Sequence, residues 1–542
     1  MALLEVRDLS FTYAGQTSPA LKNASLTLQK GEFMCVCGAT GSGKSTLLRL
    51  LKAELRPEGQ LTGDVRFDGT ALSEMEAGRR AAAIGYVCQR PEQQIVTDKV
   101  WHELAFGLEN LGVKPDVIRR RVSEMACWFG IEGWFEKSVS ELSGGQKQLL
   151  NLASVMVMQP DVLLLDEPTS QLDPIAASDF IATVSRLNRE LSTSVIMVEH
   201  RLEEVLPVCD SLLVMQNGTV HRQGPVREVV SALPPDSELM EYMPAAVRIF
   251  AACRGKGSCP LTVKEGRRYV RENFTNEIKS LPARERELPE EAALEFENVY
   301  FRYEKSGADV LNGLSFSVRE GEIFCVLGGN GAGKSTCLAA AAGINRPYAG
   351  KIRVFGKNIR DYKHQSLYRG CLSLLPQDVQ TVFLESTVEK ELRGVDLGSL
   401  PFDLSGLLAR HPYDLSGGQQ QLTALAKVLA QKPRLLLLDE PTKGLDAHTR
   451  AAFIGVIRQL NKGGMTVVCV THDVEFAAQT ADRCALFFKG GITSCEETHR
   501  FFEGNSFYTT ASNRIARDWY EGVITSDEAA RLCLMNGGGS GE

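Results

Sequence analysis

The 542 residues are 44% hydrophobic and 23% charged, with a net charge of −7. At roughly 100–200 residues per domain that length exceeds one core, and the acidic balance argues against a sequence-independent grip on nucleic-acid phosphates. No apolar run nears the roughly 18–20 residues that span a bilayer, and the start MALLEVRDLSF has no secretory apolar segment, so a cytoplasmic chain is expected.

Taken in order, FTYAG near Phe11 precedes an apolar run at Phe33–Cys37, the glycine-rich GATGSGKST from Gly38 to Thr46, and a helix-like stretch, STLLRLLKAEL. That order reads as strand, loop, helix. LSGGQ follows at Leu142, and the runs at 162–165 and 195–198 read as strands buried on both faces, as a parallel sheet requires. The series then starts again: FRYEKSG near Phe301, an apolar run at Ile323–Leu327, GGNGAGKST from Gly328 to Thr336, LSGGQ at Leu415, and strands at 435–438 and 467–470. Such an internal repeat predicts two α/β domains. We place the first at 1–235, its C-terminal extension and linker at 236–292, the second at 293–500 and a tail with a flexible end at 501–542. Residues 276–292 are charged with mixed sign and read as an exposed linker. The fourteen scattered cysteines, with no CxxC pair, read as reduced packing residues.

A triphosphate needs many donors at once without side chains in the way, which glycines followed by a helix N-terminus supply. Gly38, Gly41 and Gly43 form that loop, Lys44 adds a charge for the β- and γ-phosphates, and the Ser45 hydroxyl is placed for Mg²⁺. Gly328, Gly331, Gly333, Lys334 and Ser335 repeat it. The run ending at Asp166 sets a carboxylate at a strand tip for the Mg²⁺ shell, and Glu167 beside it is the candidate to polarise the attacking water. Asp439 and Glu440 are their counterparts. Gln89 and Gln377 follow apolar runs, and His200 and His472 follow strands at matched offsets from the carboxylates, which favours a functional reading of all four.

On these motifs both halves resemble the nucleotide-binding domains of ABC ATPases, which implies P-loop NTPase domains, each with a RecA-like core and a helical subdomain. The resemblance implies that Tyr13 and Tyr303 stack on adenine, that Gln89 and Gln377 sense Mg²⁺, water and the transport partner, and that His200 and His472 contact the γ-phosphate. It also implies head-to-tail closure. Ser143, Gly144, Gly145 and Gln146 would then cap the ATP held by Lys334, and Ser416, Gly417, Gly418 and Gln419 the ATP held by Lys44. With lysine, aspartate, glutamate and histidine in both copies, two hydrolytic sites are expected and no second ATPase chain is required.

Residues 89–112, QRPEQQIVTDKVWHELAFGLENLG, resemble the ATPases of energy-coupling factor transporters, which show a Q-x-P-x-x-Q run followed by an AFG-x-EN-x-G helix. PLTVKEGRRYV at Pro260 and NSFYTTASNRIAR at Asn505 resemble tandem members of that group. The resemblance implies a peripheral protein on the cytoplasmic face of the membrane, docked beneath a transmembrane coupling subunit and a substrate-binding membrane subunit, and importing a vitamin or transition-metal ion. The alternatives are another ABC importer branch and a soluble tandem ABC protein acting on ribosomes. Gln89 to Ser143 spans 54 positions and Gln377 to Ser416 only 39, so the two halves are expected to meet their partner unequally.

Overall fold

Two sheets recur in each half because the sequence carries two kinds of strand. Alternating patterns such as those of Ala2–Tyr13 and Leu21–Gln29 bury one face, and they pair antiparallel with Gly59–Phe67 and Thr70–Ala71. Runs such as Phe33–Cys37 and Val162–Asp166 are buried at every position and form the parallel sheet. Its order is Thr219–Pro225, Ser211–Gln216, Phe33–Cys37, Ser194–Val198, Val162–Asp166, Ile84–Val87, parallel except at the first pair. The computed structural model describes residues 2–282, 286, 288–363 and 366–537. The end of the GGGSGE tail and part of the 276–292 linker lie outside these residues.

By internal contacts the chain divides into Met1–Thr262 and Val263–Glu542. The second unit repeats both sheets, with Ile323–Leu327 between Thr466–Thr471 and Arg483–Phe488, and Leu435–Asp439 beyond Thr466–Thr471. In each unit one core lies between the two sheets, joining Phe11, Val36, Leu48 and Val198 in the first and Phe301, Val326, Leu338 and Val470 in the second. The loops at the carboxyl ends of the parallel strands, where open α/β sheets bind ligands, therefore face a common crevice within each unit.

The units differ where the sequence lengths differ. The first carries helices Val100–Asn110 and Pro115–Phe129 ahead of Gly144–Met156. The second has the four-residue helix Val388–Glu391 and three short 3₁₀ turns ahead of Gly417–Leu429. Among its described residues no helix takes the place of the fifteen-residue Pro115–Phe129. Val388, Leu392, Leu404, Leu415 and Ala426 close a small core of their own there.

Both units add helices after the last strand, fastened in the same way. Glu203 accepts the Ala245 N–H, at the start of Ala245–Ala252, and Glu475 accepts the Ala511 N–H, at the start of Ala511–Ala516. Val263–Asn273 packs on Ala511–Ala516 inside the second unit. The linker is mostly exposed but tied down: Ile278 exchanges two hydrogen bonds with the Asn536 side chain, and Arg286 is held by Asp482, Asn461 and Gly321. Charged composition alone reads as loose chain because the side-chain partners lie some 170 to 260 positions away. No helix among the described residues is long and apolar enough to cross a membrane.

Candidate functional site

The glycine loops lead from the central strands into helices Lys44–Leu51 and Lys334–Ala341, and a side chain has no room at their first residue. A Cβ on Gly38 would sit 2.1 Å from the Met215 carbonyl oxygen, and on Gly328 2.5 Å from that of Phe487. The helix-entry glycines Gly43 and Gly333 have φ of +96° and +107°, a backbone that L side chains rarely adopt. Gly41 and Gly331 also have positive φ. Lys44 is buried, with Nζ donating to the Gly38 and Ala39 carbonyls at 2.8 and 2.9 Å, and Lys334 does the same to Gly328 and Gly329. The Tyr13 hydroxyl meets Thr46 Oγ1 at 2.8 Å and that of Tyr303 meets Thr336 Oγ1 at 3.0 Å, so each aromatic ring is fixed beside its loop.

The strand-end carboxylates face these loops. Ser45 Oγ donates to Asp166 Oδ1 at 2.8 Å and Ser335 Oγ to Asp439 Oδ1 at 3.0 Å. Glu167 and Glu440 follow in the left-handed region, φ 46° and 47°, which turns each side chain off the strand axis toward the crevice. His200 Nε2 lies 2.8 Å from Glu167 Oε1, and Gln89 Nε2 donates to Glu167 Oε2 at 2.8 Å. In the second unit His472 Nδ1 is 2.8 Å from Glu440 Oε2 without an aligned hydrogen bond from either ring nitrogen, and Lys334 Nζ is 3.7 Å from Glu440 Oε1. Gln377 makes no hydrogen bond to Glu440, but both line a cavity of about 430 Å³ together with Tyr303, Gly331, Gly333, Lys334, Ser335 and Thr336.

Electrostatics separate the neighbouring acids. Burial pushes Asp439 up to about 6, with the adjacent Glu440 charge adding to it and Ser335 opposing it. Burial also tends to raise Glu440, but His472 and Lys334 outweigh it and hold the carboxyl below the usual range. Asp166 is raised by burial against the hydrogen bonds it accepts. One of those comes from a residue that the sequence reading missed: the Tyr86 hydroxyl donates to Asp166 Oδ2 at 2.9 Å, and Arg49 interacts with Tyr86 and, through its charge, with Asp166. The aligned strands Ile84–Val87 and Leu372–Leu375 set Leu374 where the first unit has Tyr86, and Ala339 stands where it has Arg49. The asymmetry was readable as IGYV against LSLL, but only once the strand was known to end at the carboxylate.

The LSGGQ residues sit at another pair of helix starts. Ser143 and Gln146 form a reciprocal capping box at Gly144–Met156, as do Ser416 and Gln419 at Gly417–Leu429. Gly418 is required because a Cβ there would meet Thr449 Cγ2 at 2.4 Å, and Gly145 packs likewise against Ala176. A Cβ on Gly144 would meet nothing within 4 Å and one on Gly417 only the Gly444 carbonyl oxygen at 3.7 Å, so neither of these helix starts is crowded. No hydrogen bond among the described residues ties either signature to the glycine loop of its own unit.

The ABC transporter family pattern matches residues 21–170 and 311–443. A Bacillus anthracis protein named as an ABC transporter ATP-binding protein is 39% identical over 546 residues, covering 98% of each chain. A Streptomyces avermitilis protein of the same name is 34% identical over 533 residues, covering 91% of this chain and 93% of its own. Among solved structures, cbiO1 from Clostridium perfringens, part of the ABC transporter complex cbiONQ, is 33% identical over 43% of this chain and 91% of its own, with a TM-score of 0.39. With two phosphate loops, two strand-end acid pairs and the family pattern matched twice, this chain belongs to the ABC transporter family as a tandem, ATP-binding ATPase.

Proposed function

We propose that the chain is the ATP-hydrolysing subunit of a membrane importer of the energy-coupling factor type. The observation that carries this is the path of residues 89–103. Gln89 is bonded to the Glu167 carboxylate, and seven residues later Val96 is 66% exposed, with its N–H and that of Thr97 held by the buried Glu103. One short loop thus joins the hydrolytic carboxylate to an exposed apolar contact, which is what transmitting a transport partner's movement needs. Residues 377–391 repeat the exposed apolar contact and its anchor, with Leu384, 85% exposed, and Glu391, but without the bond from the glutamine to the carboxylate. The Q-x-P-x-x-Q and AFG-x-EN-x-G runs favour the energy-coupling factor branch over other importers.

In this reading Lys44 and Lys334 bind the β- and γ-phosphates, Tyr13 and Tyr303 stack on adenine, and Glu167 and Glu440 orient and polarise the attacking water. His200 and His472 bring buried ring nitrogens without hydrogen-bond partners, which suits them to a γ-phosphate oxygen. The paired hydroxyl and carboxylate of Ser45 with Asp166, and of Ser335 with Asp439, fit Mg²⁺. In each unit an aspartate raised by burial stands beside a second carboxylate, a donor set that a hard divalent cation relieves. Gln89 and Gln377 complete its surroundings, and the ion supplies charge neutralisation at the phosphates. Each signature caps the nucleotide on the other half, as the family resemblance implies.

Two expected results test this reading. Val96→Arg and Leu384→Arg leave ATP turnover of the isolated chain within about twofold but break co-purification with the membrane subunits. Val96→Arg does so more severely, because its unit carries the additional helix Pro115–Phe129. Equal losses contradict unequal docking, and recovery of the chain with ribosomes overturns the importer reading. Tyr86→Phe removes one hydrogen bond to Asp166, so it raises the Mg²⁺ concentration needed for nucleotide binding at the first site by about fivefold to tenfold. Titrating Mg²⁺ against fluorescent-nucleotide binding in a Lys334→Ala background measures it, and an unshifted midpoint removes Tyr86 from metal positioning.

A further inference from the structure

The second unit holds an arginine in a way that the first unit is built to copy. Arg286, from the linker, donates through Nη1 to Asn461 Oδ1 at 2.7 Å and to both Asp482 oxygens at 3.2 and 3.0 Å, and through Nη2 to the Gly321 carbonyl at 3.1 Å. This planar, forked set of acceptors suits a guanidinium and not a point-charge ammonium.

The acceptors are themselves locked by neighbours, and the first unit reproduces every lock. Asn461 Nδ2 donates to the Gly321 and Met465 carbonyls at 2.8 Å each; Asn188 Nδ2 donates to those of Gly31 and Thr193 at 2.9 and 3.0 Å. Asp482 Oδ2 accepts the Ile323 N–H at 2.8 Å; Asp210 Oδ2 accepts the Phe33 N–H at 2.9 Å. Thr466 Oγ1 accepts the Gly321 N–H and Ser194 Oγ the Gly31 N–H, each at 2.9 Å. Asn188 Oδ1, Asp210 and the Gly31 carbonyl are therefore the counterparts of the Arg286 receptor.

Their exposure shows the difference. Asn461 is buried, whereas Asn188 is half-buried, and Asp210 is exposed. No hydrogen bond from the described residues reaches Asn188 Oδ1, and Asp210 takes part in no ion pair among them. Beside them opens a cavity of about 500 Å³ lined by Gly31, Glu32, Asp210 and Ser211. Lys30 also lines it, so hydrogen-bond geometry selects the ligand more than net charge does. These residues lie at the amino ends of strands Phe33–Cys37 and Ser211–Gln216, opposite the glycine loop.

We infer that Asn188, Asp210 and the Gly31 carbonyl form a receptor for an arginine side chain of a partner polypeptide, the same contact that the second unit makes with its own Arg286. The site is separate from the nucleotide crevice and from the exposed loop at Val96. An orientation-fixing acceptor, a carboxylate and a carbonyl together recognise the fork, and the cavity beside Gly31 and Asp210 gives the arginine side chain access to them.

The test uses the full chain and a fluorescein-labelled peptide of residues 281–291, with Arg284→Ala so that Arg286 is its one guanidinium. Fluorescence anisotropy is expected to show saturable binding. It weakens by about tenfold or more in Asp210→Asn, which keeps an acceptor for Phe33 N–H while losing the charge. Asp482→Asn leaves peptide binding unchanged, because the tethered Arg286 outcompetes free peptide at the second unit. A peptide with Arg286→Lys binds about tenfold more weakly than the arginine peptide. Unchanged ATP turnover in Asp210→Asn shows that the variant is folded. Absence of binding, or binding indifferent to Asp210→Asn or to Arg286→Lys, overturns the receptor. Arginine amide competing as well as the peptide overturns the assignment to a polypeptide partner.

Discussion

Glutamine in place of Glu167 or Glu440 is expected to remove at least half of the ATP turnover of the full chain, and the double variant to lose about 10²–10⁴-fold, the range for removing a positioned general base. The geometry gives each acid the same task. Both leave the strand in the left-handed region, and both meet the histidine of their own unit at 2.8 Å. The acids start from different states, however. Glu440 lies 3.7 Å from Lys334, which helps His472 to hold its carboxyl below the usual range and makes it a weak base before nucleotide binds. Phosphate engaging Lys334 withdraws that charge and raises the basicity of Glu440 when the water is in place. Glu167 also accepts a hydrogen bond from Gln89, the residue that opens the loop running to Val96. Steady-state phosphate release by each single variant measures the claim, and a single variant with untouched turnover contradicts two competent sites.

The placement of the glycine loops was legible in the sequence because their pattern is local. Glycines that tolerate no Cβ, a lysine, and a hydroxyl at a helix start must lie within nine residues, and both copies sit where the motif places them. Buried parallel strands were equally legible as short apolar runs, and Phe33–Cys37 and Ile323–Leu327 have the bounds that the pattern indicates. The residues that make the two sites unequal follow no local pattern. Tyr86 reaches Asp166 across 80 positions, and its replacement by Leu374 in an otherwise similar strand resembles ordinary core variation. Arg286 sits in a charged segment that composition reads as loose chain, and its side-chain partners lie 175 and 196 positions away. Helical spacing alone puts Val100, Leu104, Leu108 and Leu111 on one face, yet only the first three are fully buried, because Leu111 caps the helix and is half-buried.

The unequal loops yield the second large effect. Glu391→Ala is expected to destabilise the second unit by about 2–4 kcal/mol, the loss of two amide acceptors and of a charge-assisted hydrogen bond to a part-exposed lysine, while Glu103→Ala costs the first unit about 1–3 kcal/mol. Both carboxylates accept two successive backbone N–H groups, Val96 and Thr97 in one case, Leu384 and Glu385 in the other. Only Glu391 also pairs with a lysine: Lys427 Nζ lies 2.5 Å from its Oε2 and donates to the Val382 carbonyl at 2.7 Å, and the matching helix position in the first unit is Ser154. The side chain of Glu391 is fully buried, so alanine strands both amides and takes the carboxylate from Lys427, which keeps the Val382 carbonyl and part of its exposure to water. Burial tends to raise the Glu391 carboxyl, but the amides and Lys427 outweigh it and hold it below its unfolded value. Its contribution is therefore present above the ordinary carboxylate range and lost as pH falls through the lowered folded value, so the gap between wild type and Glu391→Ala closes in acid. Hydrogen exchange resolves the units separately, which a single melting curve of two domains does not. The Leu384 and Glu385 amides are expected to lose protection in Glu391→Ala while Val96 and Thr97 keep theirs. Loss at both loops together makes the two anchors one cooperative element and removes the basis for unequal docking.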